Sequence, residues 1–211
     1  MTNCIEIKGL VKEYKTFTLG PIDLKVPGGS ILGLIGENGA GKTTLIKSML
    51  GITRPTAGAV KLLGTNPDRA KEDIGIVLDD CFFSEYLRVR DVETVLCRVF
   101  KSWDKGLYRD YLDKFGLSGA KNIKELSRGM RMKLSLAAAL AHRPRLLLLD
   151  EATAGLDPVV REEILDEFLA FVSDEDHAIL ISSHITSDLE KVADYIAYLH
   201  QGKLLLCDEK D

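Results

Sequence analysis

The chain has little of what would tie it to a membrane, to an oxidising compartment or to a polyanion. No apolar run approaches the about 18 residues that a spanning helix needs. The longest, such as Leu146 to Leu149 and Ala137 to Ala141, have the length of a strand or of a helical turn. The N-terminal stretch MTNCIEIKGLVKEY carries charges every few residues and has no apolar secretory core, which reads as a cytosolic chain. Cys4, Cys81, Cys97 and Cys207 are scattered, with no C-x-x-C pair. That pattern excludes a disulfide framework and leaves reduced thiols. The 28 basic and 32 acidic residues give a net charge of −4, the opposite of the basic excess of a nucleic-acid binder, so no nucleic-acid partner is expected. Low-complexity runs, charge blocks and solenoid-length repeats are also missing.

What remains is a composition of ordinary soluble type, 45% apolar and 28% charged, in a chain of 211 residues. A chain of that length buries roughly 70% of its unfolded surface, enough for one sizeable core. Cys4 to Ile7 and Ile22 to Val26 partly alternate, as half-buried antiparallel strands do. Ile31 to Ile35 is almost continuously apolar and runs into glycines, as a strand buried on both faces does. Val60 to Leu63, Ile74 to Leu78, Leu146 to Leu149, Ala178 to Ile181 and Ile196 to Leu199 are further strand candidates, and Gln201-Gly202 reads as a hairpin turn into Lys203 to Leu206. Helices are predicted over Lys42 to Leu50 and over Pro158 to Phe171, the second with Asp157 as N-cap and Pro158 at its first position. From about Asp91 to Ala141 strand signals give way to helical stretches at Val92 to Phe100, Leu107 to Phe115 and Met130 to Ala141. The expectation is an α/β fold whose core is interrupted by a helical insert.

The strongest motif is Gly36-Glu37-Asn38-Gly39-Ala40-Gly41-Lys42-Thr43-Thr44, which matches G-x-x-x-x-G-K-[ST] between a buried strand and a helix. The glycines let backbone N–H groups converge on a phosphate, and the helix start adds free N–H groups and the positive end of its dipole. Lys42 can reach the β- and γ-phosphates, Thr43 can place its hydroxyl on Mg²⁺, and Thr44 can donate to a nearby phosphate. A second motif, Leu146 to Leu149 followed by Asp150 and Glu151, ends a buried strand in two acids. Asp150 is assigned to the metal and Glu151 to the general base that orients or deprotonates the attacking water.

Further motifs follow in a fixed order. Leu126-Ser127-Arg128-Gly129-Met130 resembles the LSGGQ signature of ATP-binding cassette (ABC) ATPases, Ala154-Gly155-Leu156-Asp157 resembles their D-loop, and Ser182-Ser183-His184 resembles their switch-histidine segment. Tyr14 resembles the aromatic that stacks on adenine, with Phe17 close enough to compete. The resemblance covers nearly the whole chain. It implies a P-loop NTPase (RecA-like) core with an N-terminal antiparallel β-subdomain, formed by residues 1–80 and 142–211, and an inserted α-helical signature subdomain at residues 81–141. ATP and Mg²⁺ are the implied cofactors. The implied partners are a second ABC ATPase subunit and integral membrane permease subunits, and the implied location is peripheral, on the cytoplasmic face of a membrane. Ser127 caps its helix in either reading; under the resemblance Ser127 and Gly129 also close over ATP held by a second subunit, with Asp157 crossing alongside. His184 becomes the γ-phosphate sensor, so that Lys42, Glu151 and His184 are the candidate catalytic residues.

Two positions depart from the family pattern. Asp79 stands where a glutamine is usual, and an ionised aspartate only accepts hydrogen bonds. Asp79 either binds Mg²⁺ or its waters or is held away from the metal. Arg128 stands where the signature usually has glycine; it either aids closure on the partner's γ-phosphate or points to solvent. Signatures of this arginine- or lysine-containing kind resemble those of bacterial exporter ATPases that pair with separate membrane subunits. Phe82, Phe83 and Tyr86 either pack inside the insert or form an exposed apolar interface for a membrane subunit. The resulting expectation is the ATP-binding and hydrolysing subunit of an ABC transporter, an exporter by its signature. The alternative is a soluble ATPase of the same superfamily acting as a regulator or assembly factor.

Overall fold

The computed structural model describes residues 2–79 and 81–210. A three-stranded antiparallel sheet is built from β1 (Asn3–Glu13), β2 (Thr18–Pro27) and β4 (Ala57–Leu62), in the order β2-β1-β4. A six-stranded sheet has the order β5-β6-β7-β3-β8-β9, from β5 (Ile74–Val77), β6 (Leu146–Asp150), β7 (Ala178–Ser183), β3 (Ser30–Ile35), β8 (Tyr195–His200) and β9 (Lys203–Glu209). Its first five strands run parallel and β9 turns back antiparallel to β8. The hairpin turn falls on Gln201 and Gly202 as expected, both with positive φ (46° and 79°), the backbone that a tight hairpin favours.

The central strands β3, β6 and β7 are buried along almost their whole length because both faces of the sheet are covered there, whereas the edge strand β9 is largely exposed. Leu147, Leu149, Ile179 and Ile181 face one cluster, packed with helices α5 (Arg128–Leu140) and α6 (Pro158–Phe171). Leu146, Leu148 and Leu180 face the other, which takes in Leu45 and Ile46 of α1 (Lys42–Met49) and the apolar faces of β1 and β2. Helix α2 (Pro67–Ala70) is a single turn. Among the described residues no strand lies between β5 and β6; that stretch holds α3 (Asp91–Leu96), α4 (Lys105–Lys114) and α5. Its apolar side chains Tyr108, Leu112, Ile123 and Leu126 join the first cluster, so one core spans the sheet face and the helices.

Several elements differ from their sequence-based bounds; β1 and β2, for example, extend well beyond the expected Cys4 to Ile7 and Ile22 to Val26. The helix expected over Val92 to Phe100 ends at Leu96, because Arg98 and Val99 bond carbonyls only three residues back. Strand β4 stops before Leu63, whose φ of 50° lies outside the strand region. Helix α7 (Thr186–Val192) was not expected, since a segment of seven residues is too short to show a helical period.

The parallel strands β3, β5, β6 and β7 all end on one edge. In order, they deliver the glycine-rich loop after Ile35, Asp79, the Asp150–Glu151 pair and His184 to that edge, where open α/β sheets bind their ligands.

Candidate active site

The loop between β3 and α1 wraps a space that a side chain would fill. A Cβ at Gly36 would lie 2.4 Å from the Leu199 carbonyl oxygen, and Gly41 takes a φ of 111°, so both positions require glycine. No side chain caps α1, which leaves its first N–H groups open to a ligand. Lys42, buried, folds back over the loop and donates to the Gly36 carbonyl at 2.6 Å. Its Nζ also stands 3.1 Å from Glu151 Oε1 as an ion pair, without hydrogen-bond geometry.

The two acids at the end of β6 are held differently. Asp150 accepts from the Thr43 hydroxyl at 2.7 Å on one oxygen and from the Ser182 hydroxyl at 2.6 Å on the other. Strand register explains the second bond, since Asp150 pairs with Ser182 across β6 and β7. The same serine bonds the Glu151 N–H at 3.1 Å. Glu151 itself has a φ of 53°, a conformation a non-glycine residue holds at a cost of roughly 1–3 kcal/mol. That turn aims its carboxylate back toward Lys42. His184 Nδ1 lies 2.7 Å from Glu151 Oε2; a carboxylate only accepts, so Nδ1 carries the proton and Nε2 is left for another partner.

Phe17, Glu37, Asn38, Gly39, Gly41, Lys42, Thr43, Thr44, Asp79, Asp150 and Glu151 line one cavity of about 340 Å³. Gly36 and Ala40 shape its loop from behind, and His184 joins through Glu151. Ser127, Gly129 and Asp157 do not line it. Ser127 accepts from the Met130 N–H at 3.3 Å and caps α5, while Asp157 accepts from the Val160 N–H at 3.1 Å and caps α6. Tyr14 is exposed and lies with its ring 6.5 Å from that of Phe17. Phe17 is the aromatic nearer the loop: a Cβ at Gly41 would meet its Cζ at 3.0 Å.

Two participants carried no assigned role in the sequence. In the sequence Ser182 stands out only as the start of the Ser182-Ser183-His184 segment, yet it orients both acids. Arg161 donates to the Leu156 carbonyl at 3.1 Å and lies 3.7 Å from the buried Asp188 of α7, tying the segment that resembles a D-loop to the helix after His184. No signal in the sequence marks either contact, because each joins distant strands or helices.

The family model described as ABC transporter matches residues 19–154. This chain belongs to the ABC transporter family. It is 38% identical over 216 residues to the bacitracin transport ATP-binding protein BcrA of Enterococcus faecalis, an alignment covering 97% of this chain and 69% of that one. It is 35% identical over 214 residues to the lantibiotic transport ATP-binding protein SrtF of Streptococcus pyogenes, covering 98% and 91% respectively. The solved structure of an ATP-binding subunit of an ABC transporter superposes with a TM-score of 0.89 at 25% identity, covering 99% of this chain and 90% of that one. This ABC chain is thus the ATP-binding, ATPase subunit of a transporter.

The residues of the ABC cassette fit a nucleoside triphosphate with a hard divalent cation. The glycine loop, the open start of α1 and Lys42 suit a polyphosphate. Among the described residues no group of three His, Cys, Asp or Glu side chains forms a protein-only metal cage. Thr43 and Asp150 instead offer two neighbouring oxygens, the small protein share that Mg²⁺ takes when phosphates and waters supply the rest.

The insert of this ABC chain presents a partly exposed aromatic edge beside the Asp79 loop. Phe82 and Tyr86 are 59% and 84% exposed whereas Phe83 is buried, so of the three rings only Phe83 packs inside. An apolar groove of about 250 Å³ runs along Phe82, Phe83, Leu96 and Phe100. Among the described residues no helix is long and apolar enough to cross a membrane.

Proposed function

We propose that this chain hydrolyses Mg-ATP at a site shared between two copies and drives export through separate integral membrane subunits from the cytoplasmic face. The observation that carries the reading is the Glu151 carboxylate held between Lys42 and His184 at the mouth of the phosphate loop. Bound Mg²⁺ supplies charge neutralisation of the β- and γ-phosphates. Thr43 and Asp150 are the residues that hold it. Lys42 turns from Glu151 to the phosphates, and the freed Glu151 accepts the proton of the attacking water in line with the leaving ADP. His184, with its Nδ1 proton committed to Glu151, offers Nε2 toward the γ-phosphate and keeps the base oriented. Tyr14 or Phe17 stacks on adenine, and Ser127, Gly129 and Asp157 act on ATP held by the other copy. The core at 1–80 and 142–211 carries the loop, and the insert at 81–141 carries the signature.

Export is supported by the transport and resistance proteins among the relatives, the daunorubicin/doxorubicin resistance protein DrrA of Streptomyces peucetius being a third at 33% identity. The exposed Phe82 and Tyr86 and the groove beside them suit an apolar helix from a membrane subunit. Phosphate release from ATP, measured beside nucleotide binding, tests the chemistry. Glu151→Gln is expected to retain ATP binding and to lose at least about a hundredfold in turnover. His184→Ala is expected to lose turnover with little change in ATP affinity. Normal turnover in Glu151→Gln would remove the base assignment.

A further inference from the structure

The two departures from the family pattern meet in space. Arg128 Nη2 donates to Asp79 Oδ1 at 2.6 Å, linking the first residue of α5 to the loop after β5. The Arg128 guanidinium also lies against Gly155: a Cβ there would stand 2.9 Å from Nη1. One side chain therefore joins the signature, the Asp79 loop and the D-loop of a single chain. The charges are complementary. Without Arg128, Asp79 would face Asp150 and Glu151 in the same cavity with no cation of its own. Without Asp79, Arg128 would project as a free cation beside the start of α5. A glutamine and a glycine, the usual pair, would need no such contact.

We infer that the Asp79–Arg128 pair is a latch that holds the signature helix to its own core and must open before Arg128 can reach phosphate bound by a second copy of this chain. The inference rests on the proposed ATP-bridged dimer. In the latched state the positive charge of the signature is spent within the chain. The triphosphate of the second copy, a stronger acceptor than one carboxylate, draws the guanidinium away. Asp79 is then left facing the nucleotide, which favours reopening once the γ-phosphate has gone. Both side chains are about half exposed, so the pair is screened by salt and each latch is worth about a two- to fivefold factor.

Dimerisation of the Glu151→Gln chain, titrated with Mg-ATP in the analytical ultracentrifuge, tests the latch. A symmetric dimer opens two latches, so Asp79→Asn is expected to raise the dimerisation constant by about 4- to 25-fold, and less at high salt. The titration is repeated with Arg128→Gly, which installs the usual family residue; there Asp79→Asn is expected to give a distinctly smaller shift, because only the repulsion between Asp79 and the nucleotide is left to remove. No shift in the Arg128 chain overturns the latch. So does an equal shift in both backgrounds, which would show only that Asp79 repels ATP. In the nucleotide-free chain, thermal unfolding of the same four variants reads the pair directly, and additive effects overturn it. A Glu151→Gln chain that binds ATP yet stays monomeric sinks the shared-site reading and this inference together, whereas dimerisation with equal shifts sinks the latch alone.

Discussion

Lys42 and Glu151 form an ion pair of 3.1 Å at the mouth of the phosphate loop, with both side chains largely buried. Each holds the other's charge while no phosphate is present. Removing the lysine alone leaves a carboxylate oxygen buried without a partner. Lys42→Ala is therefore expected to weaken ATP binding at least tenfold and to destabilise the fold by about 1–3 kcal/mol. Adding Glu151→Gln should recover part of the stability and none of the affinity. Denaturant unfolding and a fluorescent-nucleotide titration separate the two effects; equal losses of stability in the single and double variants would show that the pair is not coupled.

Asp150 accepts a hydroxyl proton on each of its oxygens, from Thr43 and from Ser182. Asp150→Asn keeps the shape but removes the charge that attracts a cation. The expected result is a higher Mg²⁺ concentration for half-maximal turnover, with Thr43→Val acting in the same direction. Removing the metal with a chelator should abolish turnover in the unmodified chain. Turnover that persists at full rate under chelation would refute the assignment of Thr43 and Asp150.

Gly36 lies against the backbone of β8. Its hypothetical Cβ would stand 2.4 Å from the Leu199 carbonyl oxygen, and a backbone atom yields less readily than a side-chain tip. Gly36→Ala is expected to destabilise the chain by about 1–3 kcal/mol and to displace the loop. A lower urea midpoint with weakened nucleotide binding is the expected pair of observations. A variant with wild-type midpoint and affinity would show that the loop has room to move.

His142 is buried, stacked 4.0 Å from the ring of Phe100, and its Nε2 donates to the Ile74 carbonyl at 3.1 Å. Burial lowers its pKa below the ordinary histidine value, although the Ile74 and Ala138 carbonyls and the charges of Glu72 and Asp73 oppose the shift. With the folded-state pKa depressed, its stability contribution is present above the unfolded value of about 6.5. That contribution is lost as the pH falls from there through the folded value. The melting temperature should therefore drop on acidification, and less steeply in His142→Gln. Identical slopes in the two chains would show that other groups govern the acid response.

Much of this fold was legible because its signals are local. Continuous apolar runs marked β3, β6 and β7 as strands buried on both faces, and Asp157-Pro158 placed the start of α6 at the residue where the helix begins. The phosphate loop was legible for the same reason, since backbone convergence on a phosphate needs glycines at set spacing within a few residues. Helix α7 was not legible, because it is short and owes its burial to neighbours such as Leu189 packed on the sheet. The geometry linking Ser182 to both acids was equally hidden, since it depends on the parallel register of β6 and β7.

The absence of any apolar run long enough to cross a membrane is a property of residue order, and no folding could alter it. The same holds for the residue types at the phosphate loop and at the Asp150–Glu151 pair. What only the tertiary structure decided is which side chains neutralise one another. Asp79 and Arg128 are 49 residues apart and read separately as an added negative and an added positive charge. The fold brings them to 2.6 Å, because β5 and the start of α5 end at the same edge of the sheet. Sequence carries the charges, but a Coulomb interaction depends on distance, and distance across the chain is set only when the core closes.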